Sequence, residues 1–196
     1  MPFQPGMLVA FVLVLVLAGG ATRAASCDDG WSALGDGEGK ALLIRHAEAP
    51  GTGDPPDFRL EDCATQRNLS AEGLAHATAL GRALRERGVR VGRVLTSQWC
   101  RARDSARLMG VGPVEDAPAL NSFFDERNAR AERTAALRDL VRGWRGPGAL
   151  VLVTHQVNIA ALTGLSPAAG EMIVLSAARE AEPLRVVGRV ALRWGR

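Results

Sequence analysis

The chain's 196 residues leave room for one domain with a sizeable core and too few for two ordinary ones. Its net charge of +3 is a weak basic balance, and Lys40 is the only lysine beside the arginines. No basic run alternates with aromatics as a nucleic-acid surface would require, so no nucleic-acid partner is expected.

In chain order, Met7 to Ala18 is a nearly unbroken apolar run, followed by Gly19-Gly20 and small residues around Ala24-Ala25. This predicts a signal peptide over residues 1–24, atypical in that no Lys or Arg precedes the run. The run is shorter than the ~18 residues usual for a bilayer-spanning helix, so no permanent membrane span is expected. The mature protein is expected to be exported, periplasmic or secreted. Ala24-Ala25-Ser26-Cys27 is also similar to a lipoprotein box, with Ala24 where Leu is usual, which makes lipid anchoring through Cys27 an alternative. Residues 25–39, Gly- and Asp-rich in their main part and without periodicity, read as a mature N-terminal tail, and residues 40–196 as the domain.

Ala41-Leu42-Leu43-Ile44 predicts a strand buried on both faces, ending in Arg45-His46. Gly51 to Asp57, dense in Gly, Pro and Asp, reads as a loop. Ser70 is a candidate N-cap for a helix with Leu74, Ala77, Leu80, Ala83 and Leu84 on one side, closed by Gly88. A strand over 91–96, helices over 101–109 and 132–144, and a strand over 149–154 follow, then a helix from Val157 to Leu162 and closing strands over 172–177 and 184–192. Apolar strands alternating with amphipathic helices predict a three-layer α/β/α sandwich with a mainly parallel central sheet.

Open α/β sheets place ligand sites at the carboxyl ends of their strands. Three predicted strand ends carry chemistry: Arg45-His46, then Ser97 with Arg101 just beyond, then Thr154-His155. A lone histidine after a strand is ordinarily a polar loop residue. Two histidines gathered with two arginines at one edge are different, because a guanidinium fork matches phosphate oxygens and neutral imidazole is a competent nucleophile. His76, mid-helix, is assigned no role. His46-Ala47-Glu48 lacks the following Cys-x-x-Cys of a zinc deaminase, no His-Glu-x-x-His helix exists, and Arg45 would repel a cation, so no metal is expected. Ser97 lies in no Gly-x-Ser-x-Gly elbow and reads as a turn or helix-entry residue. Of the three cysteines, Cys63 and Cys100 flank segments assigned to one pocket while Cys27 sits beside the cleavage point. A disulfide between Cys63 and Cys100 is therefore the preferred pairing for an exported chain.

Four segments in order resemble the histidine phosphatase superfamily, of phosphoglycerate mutase-like type, over about residues 40–178. They are Leu42-Leu43-Ile44-Arg45-His46-Ala47-Glu48, Leu69-Ser70-Ala71-Glu72-Gly73, the stretch from Ser97 through Arg101-Ala102 to Ser105-Ala106, and Val153-Thr154-His155. The resemblance implies a phosphoglycerate mutase-like fold in which His46 is the phosphorylated nucleophile and Arg45, Arg101 and His155 surround the phosphoryl group. It also implies an acid that protonates the leaving alcohol. Here the pattern departs from mutase-like members, reading Leu120 to Glu126, so the choice falls on Asp125, ahead of Glu126, Glu48 or none. Gln66 and Asn68 are second-tier substrate-binding candidates by the same resemblance.

The implied activity is hydrolysis of a phosphomonoester through a phosphohistidine, with no cofactor. The chain lacks the long inserts that cover the substrate in phosphoglycerate mutases, which favours hydrolysis over mutase chemistry. The expected partner is a small-molecule phosphomonoester, either a phosphorylated metabolite or a cell-envelope phosphate. The competing expectation is a catalytically silent phospholigand-binding module of the same fold.

Overall fold

The computed structural model describes Met1 and residues 27–177 and 184–192. The segment read as a signal peptide lies outside them except for Met1. Six strands form one sheet in the order β3-β2-β4-β1-β5-β6: β1 (Lys40–Arg45), β2 (Val91–Thr96), β3 (Val114–Asp116), β4 (Ala149–Thr154), β5 (Met172–Ser176) and β6 (Val186–Val190). The first four positions run parallel, while β5 is antiparallel to β1 and β6 to β5. Among the described residues no helix is long and apolar enough to cross a membrane.

The apolar runs of β1 and β4 follow from their central positions. Alternate residues of β1 feed the two faces: Leu42 and Ile44 pack with Leu80, Leu84 and Met109, whereas Ala41 and Leu43 pack with Leu137, Val141 and Ile159. The first face is covered by α1 (Cys27–Leu34), α2 (Ala71–Glu86) and α3 (Cys100–Met109), the second by α4 (Arg130–Gly143) and α5 (Gln156–Thr163). Each fully buried Leu or Ile contributes about 2 kcal/mol of transfer free energy, so these two clusters hold the three layers together.

Local signals act as the sequence suggests. Ser70 caps α2, its Oγ accepting from the Gly73 N–H at 3.0 Å, and Gly88 takes the left-handed conformation just past its end. Gly73 has a second constraint. A Cβ there would lie 2.1 Å from the Glu48 carbonyl oxygen, so α2 can approach the loop after His46 only through a glycine.

Two elements differ from the sequence reading. Residues 27–34 belong to no structureless tail: they form α1, which packs on β6 with Leu34 buried. The contact is backbone-close, since a Cβ on Gly30 would fall 1.9 Å from the Arg189 carbonyl oxygen. Cys27, Trp31 and Leu34 stand at helical spacing, but eight residues are too few for a helix that holds by itself, and it is docking that holds this one. The unpredicted β3 is a three-residue edge strand whose Glu115 and Asp116 pair with Arg93 and Arg103, leaving no apolar alternation to detect.

Candidate active site

Strand register assembles the site. Arg45 of β1 sits opposite Thr154 of β4, and Thr96 of β2 opposite Val153, so the three strands end nearly level. Pairing continues one residue further: the His46 N–H donates to the Thr154 carbonyl at 3.0 Å and the Ser97 N–H to the Val153 carbonyl at 2.9 Å. His46, Ser97 and His155 thereby come to one edge, all buried.

The His46 ring is oriented by its own turn. Nδ1 lies 2.7 Å from the Ala47 carbonyl oxygen, which can only accept, so in the neutral ring the proton sits on Nδ1 and Nε2 carries the lone pair. Ala47 is held in place by α3: its N–H donates to Ser105 Oγ at 2.9 Å, and that hydroxyl donates to the Arg101 carbonyl at 2.7 Å. Burial, then the positive charge of Arg101, and more weakly those of Arg45 and Arg67, push His46 from 6.5 down to about 3. His155 is likewise held well below its ordinary value, by burial first and then by His46, Arg101, Arg67 and Arg45. The two rings meet edge-on with centroids 5.4 Å apart, and Ser97 Oγ lies 2.8 Å from His155 Nε2.

Around them is a cavity of about 130 Å³ whose lining includes Arg45, His46, Asp54, Arg67, Arg101 and His155. Arg45 donates to the Pro167 carbonyl at 3.0 Å, and burial lowers its pKa. Arg67 is tied to the loop backbone, its Nε donating to the Gly53 carbonyl at 2.8 Å and Nη1 to that of Ala49. Asp54 receives both terminal nitrogens of Arg101, at 2.7 and 3.1 Å, the Trp99 indole N–H at 3.0 Å and the Arg67 N–H at 3.0 Å. Burial alone would raise the Asp54 pKa, but these hydrogen bonds and the Arg101 charge outweigh it and keep the carboxylate ionised. The buried Nε atoms of Arg45 and Arg101 have no hydrogen-bond partner among the described residues. Such donors are normally satisfied, and an anion in the cavity is the ligand whose chemistry fits them.

The sequence-predicted residues fall into two groups. Arg45, His46, Arg101, His155 and Asp125 all line the cavity. Asp125, on the exposed turn after Phe124, is the one of the three weighed acids to do so: Glu126 pairs with Arg133 at 2.6 Å, and Glu48 accepts from Ser70 Oγ. Gln66 and Asn68 do not line it. Gln66 donates to the carbonyls of Arg59 and Leu60 and accepts from the Cys100 N–H at 2.9 Å, and Asn68 donates to the carbonyls of Cys63 and Gln66. Both amides spend their hydrogen bonds folding the loop, and the residue between them, Arg67, faces the cavity instead. Cys63 and Cys100 are bridged, with Cα atoms 5.8 Å apart, which fastens that loop to the first turn of α3.

Sequence reasoning missed Arg67, Asp54 and Trp99. Asp54 sits in a stretch whose Gly and Pro residues announce a turn and mask the acid's role. The one available signal was the match between an acidic loop and the arginine at the start of α3.

No protein-family profile matches the chain, and no curated protein does. Solved structures do match. The protein histidine phosphatase SixA complexed with tungstate superposes with a TM-score of 0.56 at 16% identity, covering 78% of this chain and 96% of that one. A mycobacterial glucosyl-3-phosphoglycerate phosphatase gives 0.56 at 19% identity, covering 78% and 99%. A phosphoserine phosphatase from Entamoeba histolytica, in complex with 3-phosphoglyceric acid, gives 0.55 at 14% identity, covering 79% and 98%. The chain therefore has the fold of the histidine phosphatase superfamily, the phosphoglycerate mutase-like α/β/α sandwich.

Proposed function

We propose that this chain is a phosphomonoester hydrolase that works through a phosphohistidine on His46. The observation that carries the reading is a neutral His46, its Nδ1 proton engaged by the Ala47 carbonyl, in a cavity lined by Arg45, Arg67 and Arg101. The Nε2 lone pair forms the N–P bond while the P–O ester bond breaks. The three guanidinium groups and His155 hold the equatorial oxygens, where charge spreads in the transition state. Asp125 picks up a proton from solvent and delivers it to the departing alcohol oxygen. Water then attacks phosphorus, Asp125 takes up a proton from it, the P–N bond breaks, and His46 recovers its lone pair with release of phosphate.

The substrate class proposed is a small phosphorylated metabolite or cell-envelope phosphate met after export, with residues 1–24 as the leader. The Cys63–Cys100 bridge supports an oxidising compartment. The alternative, a phospholigand-binding module without turnover, is favoured by one observation: the single weighed acid that lines the cavity, Asp125, lies on an exposed turn.

The deciding experiment is hydrolysis of p-nitrophenyl phosphate by the mature protein in the presence of a chelator, wild type against His46→Ala. Chelator-resistant turnover that disappears in His46→Ala is expected. Turnover that survives the substitution would remove the histidine nucleophile, and a wild type that binds phosphate without turning over would favour the binding module.

A further inference from the structure

Beside the phosphoryl cavity lies a second one, of about 390 Å³. The two share Asp54, Ser122 and Asp125 in their linings and therefore adjoin. The walls of the second are Pro55, Pro56 and an aromatic pair, Phe58 and Trp99, whose rings stack with centroids 5.2 Å apart and an interplanar angle of 20°. Trp99 cannot swing freely, because its indole N–H donates to Asp54 and its ring edge meets His155 at 5.5 Å. Every charged residue in this lining is acidic: Asp54, Asp125 and Glu126. Asp54 is neutralised by Arg101 and Glu126 by Arg133, whereas Asp125 has no ion pair among the described residues.

We infer that the second cavity is the leaving-group subsite and that it takes an alcohol bearing a positively charged amine or quaternary ammonium group. This rests on the phosphatase reading and names the substrate class within it. An aromatic wall attracts a cation through the ring quadrupole, and an unneutralised carboxylate at the rim adds direct Coulomb attraction. The same carboxylate repels an alcohol that carries a carboxylate of its own. Arginines crowd the first cavity and are absent from the lining of the second, so the pair of cavities matches a zwitterionic monoester, anionic at phosphorus and cationic a few bonds away.

The test compares three esters: phosphocholine, its uncharged carbon isostere 3,3-dimethylbutyl phosphate, and 3-phosphoglycerate. Phosphocholine is expected to exceed the isostere in kcat/KM by about tenfold, with 3-phosphoglycerate the poorest. In Asp125→Asn the ratio of the first two is expected to fall towards one, whatever happens to the absolute rates. Equal values for phosphocholine and its isostere in the wild type, or a preference for the isostere, would overturn the inference. Should none of the three turn over, calorimetric binding to His46→Ala reads the same difference: tighter binding of phosphocholine sustains the subsite, and equal binding removes it. Hydrolysis of p-nitrophenyl phosphate, run alongside, reports separately on the phosphatase reading.

Discussion

Asp54 grips both terminal nitrogens of Arg101 inside the cavity that holds His46, and the two side chains are only 8% and 4% exposed. A buried guanidinium without this partner would be an uncompensated charge. The pair therefore keeps the site folded while no anion is bound, and a phosphoryl group has to share the fork with a carboxylate.

Asp54→Asn is accordingly expected to destabilise the protein by on the order of 3 kcal/mol. Inorganic phosphate should restore part of that loss, since it supplies the missing negative charge. Thermal unfolding with and without phosphate checks this: the rise in Tm on adding phosphate should be larger in the variant than in the wild type. An equal rise would mean that the carboxylate does not stand in for the ligand.

Arg67 and Gln66 are neighbours with opposite duties, one facing the cavity and the other bonded to the loop backbone and α3. Arg67→Ala should weaken inhibition by inorganic phosphate about tenfold or more, and should also lower stability, because its Nε and Nη1 hold the Gly53 and Ala49 carbonyls. Gln66→Ala should cost about 1–3 kcal/mol of stability and leave the phosphate inhibition constant close to wild type. Denaturant titration together with inhibition kinetics separates the two.

The chain holds only three histidines, so their titration can be followed individually by NMR. His46, buried and faced by arginines, should show no protonation between about pH 8 and pH 5, and the buried His155 should behave alike. The sign for stability follows. A histidine with a folded pKa of about 3 and an unfolded one of 6.5 binds protons preferentially in the unfolded state, so its stabilising contribution is full above pH 6.5 and shrinks as pH falls towards 3. His46→Ala should flatten that acid loss. A His46 resonance titrating near 6.5 would contradict its buried, arginine-faced environment.

The disulfide closes a span of 37 residues between the loop and the residue before Arg101. Replacing both cysteines by serine should cost about 4 kcal/mol by the loop-entropy estimate. It should also raise KM, because the Arg67 loop and the α3 turn that presents Arg101 lose their shared anchor. Unfolding and steady-state kinetics of Cys63→Ser/Cys100→Ser measure both, and a variant with normal stability and KM would leave the bridge without either role.

What was legible in the sequence was whatever depends on short-range pattern. The apolar runs of β1 and β4, the Ser70 cap, the Gly88 stop and the residues at the ends of three strands are local facts, and parallel strands buried on both faces leave a continuous apolar signature. These determined the sandwich and the candidates Arg45, His46, Arg101 and His155. α1 and β3 were passed over, α1 because its apolar spacing covers only eight residues and β3 because three residues give no alternation, and each exists through contact with β6 or β2. The loop was the least legible part. Within Gln66-Arg67-Asn68 the side chain that faces the cavity was decided by which amides the loop backbone and the Cys100 N–H captured, and Asp54 became a site residue only when folding set it against Arg101 across 47 positions of chain. Local pattern encodes which segments become strands and helices, since that depends on neighbours in the chain. The pairing of a loop carboxylate with a helix arginine depends on distance in space, and only the tertiary structure supplies that.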